Sequence, residues 1–293
     1  MVASERGQLL LIGGIAVAIV VFSTILFAHS LAVTDGITTT GSADTIERSA
    51  DREASVERDL GVLAARTRGD DLDGFEERYE NALRNYTRTH NRVVASSGGT
   101  YLNATLNESA SLGNVTKQPS TDKFLEPSGG GGASWDIATD VAPVVIFNIT
   151  VDDVDGTGNP TTIVVENGTD DWTMTLDGTP PGTQKEILVN GVSRCSGSGT
   201  ARINLLDGTC EIAGSSGTFP IFTDELEGPY DITVEHGAQS DVRYRFAAVG
   251  DFPDSNYGST DIGPYPVVPA VDTTYDTPSA SYNRTVRVGV DDG

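Results

Sequence analysis

The sequence predicts an α+β chain: a single N-terminal transmembrane helix, an amphipathic helical stalk or helix pair, and then an antiparallel β-sandwich-like C-terminal domain. Three observations predict it. An apolar run extends from Leu9 to about Ala28, apolar residues recur at helical spacing between Ala43 and Val94, and β-branched runs separated by turn signals begin at Trp135.

Residues 1–7 form a polar cytoplasmic head or a leader. Residues 8–35 are the transmembrane helix, which at 1.5 Å per residue crosses a hydrocarbon core of about 30 Å. Arg6 and the amino terminus precede the run, whereas Asp35, Asp44 and Glu47 follow it. That bias places the N-terminus in the cytoplasm and residues 36–293 outside the cell membrane. The competing reading is a cleaved signal ending at Ala28-His29-Ser30.

Residues 36–95 read as a neck and helical stalk. Ile46, Ala50, Val56, Leu60 and Leu63 mark a helix over Ala43–Thr67, and Arg68-Gly69-Asp70-Asp71 breaks it. Leu72, Phe75, Tyr79, Leu83, Tyr86 and Val93/Val94 form the apolar stripe of a second helix. The two either fold back as a hairpin or stack as a stalk. Arg68-Gly69-Asp70 is read as the break between them rather than as an adhesion motif.

Residues 96–134, rich in Ser, Gly and Asn and ending in four glycines, read as a glycosylated linker. The β domain occupies 135–250, with about eight strands. Val144–Val151, Thr161–Val165 and the alternation Trp172/Met174/Leu176 open it, and Ile187–Val189 turns at Asn190-Gly191 into Val192–Cys195. Ile203–Leu206 meets a turn at Asp207-Gly208, and Ile232/Val234 pairs with Val242/Tyr244/Phe246 across Gly237. Residues 251–293 are an irregular Pro- and Tyr-rich tail, with Val286/Val288/Val290 as a last strand.

Acidic residues number 42 against 19 basic, for a formal charge of −23 and a pI near 4.2. Only Lys117, Lys123 and Lys185 are lysines. At molar salt the Debye length falls to about 3 Å and such self-repulsion is screened. The composition suits a halophilic archaeon, with a merely acidic surface protein as the alternative. No basic patch offers itself to nucleic acid phosphates.

Cys195 and Cys210 flank Ser-Gly-Ser-Gly and the Asp207-Gly208 turn, so the chain can double back to join them. Outside a membrane a disulfide is the expectation and free thiols the alternative. Seven Asn-x-Ser/Thr triplets, at Asn85, Asn103, Asn107, Asn114, Asn148, Asn167 and Asn283, mark candidate glycosylation sites. A Thr-rich sequence also produces such triplets freely, and Asn148 in an apolar strand is such a case unless it faces solvent.

Asp152-Asp153-Val154-Asp155-Gly156 offers a weak calcium candidate in Asp153 and Asp155. Val164 stands where a calcium loop needs its closing glutamate, and an acidic turn explains the same residues. No metal site or cofactor is expected. Phosphate-cradling loops, nucleophile elbows and His-Glu-x-x-His are missing from the sequence. A site around His236 is the one catalytic alternative, and the expectation is a protein that is not an enzyme.

Arg6-Gly7-Gln8-Leu9-Leu10-Leu11-Ile12-Gly13-Gly14 resembles the amino terminus of archaeal type IV pilin-like and archaellin-like precursors. The resemblance covers about a tenth of the chain. It implies cleavage between Gly7 and Gln8 and packing of the exposed apolar helix with other pilin-like subunits. The layout of anchor, helices and Trp-led β domain is similar to that of uncharacterised haloarchaeal pilin-like surface proteins. Ile12 stands where many pilins place glutamate, and Asp35-Gly36 and Gly41 interrupt the helix. These departures point to a minor or tip subunit rather than a major one. The expected role is therefore structural or assembly-related, in the envelope or a pilus, with the membrane and envelope proteins as partners. The alternative is a non-polymerising binding or adhesion module displayed on a stalk.

Overall fold

The computed structural model describes residues 43–69, 73–94, 100–179, 184–276 and 281–289. The expected leader with Gly7 and Gln8, the membrane helix and the start of the neck lie outside the described residues. Among those described, no helix is long and apolar enough to cross a membrane. The chain divides into units Met1–Val56 and Glu57–Gly293. Of the first unit, only the opening turns of helix α1, Ala43–Arg68, are described. Everything below concerns the second.

Strands β1 (Tyr101–Lys123), β2 (Trp135–Val141), β3 (Val144–Val154), β4 (Thr161–Glu166) and β5 (Asp171–Thr179) come first. They are followed by β6 (Gln184–Val189), β7 (Val192–Gly197), β8 (Ala201–Asn204), β9 (Thr209–Ile212) and β10 (Ser215–Thr218). After a short helix α3 (Phe222–Glu225) come β11 (Tyr230–Glu235), β12 (Ser240–Ala248), β13 (Ile262–Asp276) and β14 (Ser281–Arg287). They form two antiparallel sheets, ordered β10-β9-β8-β3-β12-β1-β13-β14 and β2-β11-β4-β5-β6-β7.

The sandwich core lies between them and follows from period-two alternation. Phe147, Ile149 and Val151 of β3, with Tyr244 and Phe246 of β12, meet Ile163, Val165, Trp172, Met174, Leu176, Ile232 and Val234 of the other sheet. Trp172 is fully buried, and its indole N–H donates to Pro220 O at 3.0 Å. Burial therefore leaves no orphaned donor on the largest core side chain. Burial also pushes the Tyr244 hydroxyl up to about 12, partly offset by its hydrogen bond with Thr116.

The expected strands from Val144 to Leu176 and the hairpin at Asn190-Gly191 are present, the turn having φ of 50° and 73° at those two residues. Three expectations are corrected. The segment read as a linker, 96–134, contains β1, the longest strand. Its Asn114–Lys123 half pairs with β12, and Tyr101–Thr116 pairs with β13. The tail read as irregular apart from a last strand at Val286/Val288/Val290 contains β13 as well as β14, and it is β14 that takes in Val286. Lastly, Ile232/Val234 and Val242/Tyr244 do not form a hairpin. β11 belongs to one sheet and β12 to the other, and the chain changes sheets at Gly237. There the backbone presses so closely on Phe124 O that a Cβ would collide with it.

β1 and β13 run on beyond the β1–β12 pairing, and helices cover one face of that extension. Helix α2, Phe75–Val94, returns along α1 in the hairpin arrangement instead of standing off as a stalk. Tyr79 Oη donates to Leu60 O at 3.2 Å, and Tyr86 Oη to Asp59 Oδ2 at 2.9 Å. Arg78 closes the turn by donating to the Thr67, Arg68 and Asp73 carbonyls at 2.7–2.9 Å. A cation thus sits where the negative end of the α1 dipole emerges.

Two polar clamps fix the hairpin to the sheet. The Asn91 amide donates to Leu102 O and accepts from Leu102 N, both at 2.8 Å, and so replaces a neighbouring strand along that edge of β1. Arg68 lies over the Phe75 and Tyr265 rings and donates to Pro266 O (3.3 Å) and Val267 O (2.7 Å) of β13. Burial lowers its pKa from the ordinary value, with Tyr265 acting in the opposite direction. Arg68→Ala strands both carbonyls and removes the cation from the rings. We expect a loss of about 2–3 kcal/mol in urea unfolding, with Arg68→Met recovering little because the stem survives but the donors do not.

Candidate functional site

Opposite the helices, the β1-β13-β14 extension presents an open polar face. Register puts Asn103, Thr274 and Asn283 in one cross-strand row, and Thr105, Asp272 and Thr285 in the next. At about 4.8 Å per strand, Asn103 and Asn283 stand roughly 10 Å apart. Both are exposed, and each has the threonine of its triplet on the same face. Residues 180 apart in sequence order are thereby brought together by pairing with a common strand, β13.

The other triplets fare differently. Asn85 is exposed on α2, although Thr87 is buried and bonds Arg84 O. Asn107 lies on the open face but is engaged there. Its Nδ2 donates to Asp272 Oδ2 at 2.9 Å, and its Oδ1 accepts from Ser109 Oγ and Ala110 N. Asn114 shares its side of β1 with Thr116, which is 1% exposed and meets Tyr244 Oη. Asn167 caps a turn, accepting from Thr169 N and Asp170 N and donating to Glu227 O. Asn148 is half-buried on β3 with its side chain outward.

A groove of about 690 Å³ crosses the outward face of β3, β8, β9 and β10. Two registered rows of side chains floor it: Asn148, Asn204, Thr209 and Thr218, then Thr150, Arg202, Glu211 and Ser216. At one end Asp152 gathers Thr121, Thr200 and Arg243 through hydrogen bonds of 2.6–3.4 Å. Partial burial opposes the charge on Asp152, but these three donors outweigh it and hold its carboxyl below the ordinary value. At the other end Asn204 binds Asp207 Oδ2 and the backbone of its own turn. Sequence reasoning missed the groove residues. The signal was the alternation of Arg202/Asn204 and Thr209/Glu211 around the buried Ile203 and Cys210.

Cys195 and Cys210 form a disulfide with Cα atoms 6.3 Å apart. It joins β7 of one sheet to β9 of the other, so it staples the sandwich across its layers. Asp153 is exposed on β3 opposite Asp241 of β12, and Asp155 accepts a hydrogen bond from Thr157 Oγ1 in the following loop. Among the described residues no three His, Cys, Asp or Glu side chains converge as a metal group. His236 occupies the sheet-changing corner with φ of 54°; its ring lies 3.3 Å from the Asn159 amide, its backbone N–H donates to Ser134 Oγ at 3.4 Å, and its carbonyl accepts from Thr161 Oγ1 at 2.9 Å. Arg68 of the Arg-Gly-Asp triplet is engaged with β13, and Gly69, at φ of 63°, turns the chain after α1.

No family model, no curated protein and no solved structure matches the chain.

Two outcomes are expected. Glycopeptide mapping of the folded protein should find sugar at Asn103 and Asn283, and none at Asn114 or Asn167, whose surroundings are already committed. Replacing Cys195 and Cys210 by serine opens a loop of 15 residues. Equilibrium unfolding should then show a loss of about 3 kcal/mol, and reductant should have no further effect on the variant.

Proposed function

We propose that the chain is a membrane-anchored, outward-facing acidic surface glycoprotein of pilin-like type, with a structural or assembly role in the cell envelope or a pilus. It acts as a minor or tip subunit and not as an enzyme. The observation that carries this reading is the pairing of two exocytoplasmic signatures in one unit. Its sheets are stapled by Cys195–Cys210, a bond that persists in oxidising compartments, and Asn103 and Asn283 stand ready for sugar on an open face. The apolar run Leu9–Ala28 supports the anchor, and Arg6-Gly7-Gln8 supports pilin-type processing.

One observation favours a second reading, the non-polymerising display module. The groove over β3, β8, β9 and β10 is a polar recess of the size in which small ligands bind, about 300–1,000 Å³. Its charged pair, Arg202 and Glu211, can serve a partner's surface as well as a neighbouring subunit's.

The deciding experiment is intact-mass and N-terminal peptide analysis of protein from its own membrane. The pilin-like reading expects a mature terminus at Gln8 with the apolar helix retained, and loss of that cut in Gly7→Val. A terminus at Met1 or Val2 favours the display module. One at Leu31 makes the protein secreted and removes the anchor.

A further inference from the structure

Asn148 stands at the head of the groove, beside Asn204 of β8. It opens the triplet Asn148-Ile149-Thr150. Ile149 is 1% exposed and turned into the core, so asparagine and threonine project together from the opposite face. A sugar joined to the Asn148 amide emerges directly over β8 and β9. We infer that the groove is the seat of an N-linked glycan on Asn148, laid across β8 and β9 toward β10. The inference rests on the outward-facing glycoprotein reading and adds where one glycan lies and what holds it.

The chemistry of the floor suits a saccharide. Arg202 and Glu211 are cross-strand neighbours and give a charged donor and a charged acceptor side by side, the set that grips vicinal hydroxyls. Around them are the hydroxyls of Thr150, Thr209 and Ser216. These groups form no hydrogen bond or ion pair with another described residue. Beyond the groove's end, on the same face, Asp152 is saturated by three partners. The contrast marks the groove as the part of this face whose polar groups are left for something outside the chain.

The same floor argues for a tethered sugar over a free one. Among the described residues no aromatic ring lines the groove, so the stacking surface that helps a free saccharide repay its lost translational freedom is missing there. A glycan bonded to Asn148 is already at an effective concentration in the millimolar range or above, where weak polar contacts suffice to hold it down.

The test uses full-length protein from an N-glycosylating host, oxidised under native conditions with dilute periodate, which cleaves vicinal diols. Loss of intact sugar is followed at each site by glycopeptide mass spectrometry. Sugars held in the groove should oxidise about tenfold more slowly at Asn148 than at Asn103 and Asn283, a factor equivalent to about 1.4 kcal/mol. In the double variant Arg202→Ala, Glu211→Ala, both exposed and remote from the core, the three rates should converge while the circular dichroism spectrum is unchanged. Equal rates in the unaltered protein overturn the inference, as does protection that survives in the double variant. Sugar at Asn103 and Asn283 with a bare Asn148 overturns it and leaves the glycoprotein reading standing. Sugar at none of these sites overturns both.

Discussion

The unit from Glu57 onward depends on β1 being hydrogen-bonded along both edges. Its Asn114–Lys123 half pairs with β12 on one edge, its Tyr101–Thr116 part pairs with β13 on the other, and the two pairings overlap over Asn114–Thr116. Its first half has β13 on one side and the Asn91 side chain bonding Leu102 on the other. Without that strand the sandwich ends at β12, and the α1–α2 hairpin has no surface to cover. Each backbone group that β1 brings into the interior needs a partner, and the neighbouring strands supply them. Register here does what apolar side chains do elsewhere, because Leu102, Ala104 and Thr116 are the only β1 residues that are fully buried.

That division explains what could be read from the sequence. The strands of the core announce themselves through residues such as Val144–Val151 and Trp172/Met174/Leu176, where burial on one face enforces alternation. The disulfide was legible from spacing and turn signals, as was the hairpin at Asn190-Gly191. β1 was not, since Asn, Ser, Thr and Gly dominate it and its order comes from partners far along the chain. β13 was hidden by Pro264, Pro266 and Pro269. Pro266 and Pro269 are tolerated because β14 pairs only with Ala270–Asp276 and the opposing β1 is irregular between Asn107 and Asn114, whereas Pro264 stands opposite Asn114 with its other edge free of β14. The change of sheet at Gly237 was equally invisible: two alternating runs with a glycine between them read alike as a hairpin or as a corner.

The candidate sites show the same pattern. Seven triplets look equivalent in the sequence, and only the folded pairing separates Asn103 and Asn283, which stand free, from Asn107, engaged where β1 is irregular, and Asn167, which caps a turn. The groove has no motif at all. It exists because β3, β8, β9 and β10 align small polar residues in two rows, and the Asp152 cluster and the Asn204–Asp207 turn bound it. On this face of an acidic chain Arg202 stands beside Glu211 and Arg243 pairs with Asp152, so the two signs of charge are interleaved.

The long reach of these pairings also sets the order in which the molecule can be built. Arg68 meets Pro266 at a separation of 198 residues, and β1 cannot acquire its neighbour β13 until the chain has been made through Asp276. Closing loops of that length is slow compared with local structure formation. The β3–β11 portion, whose contacts are mostly between near neighbours, can therefore collapse first. The Tyr101–Asn107 stretch of β1 meanwhile waits for the strand it pairs with. β13 and β14 then complete the sheet and end that interval, so their hairpin acts as the latch that commits the unit to its final form.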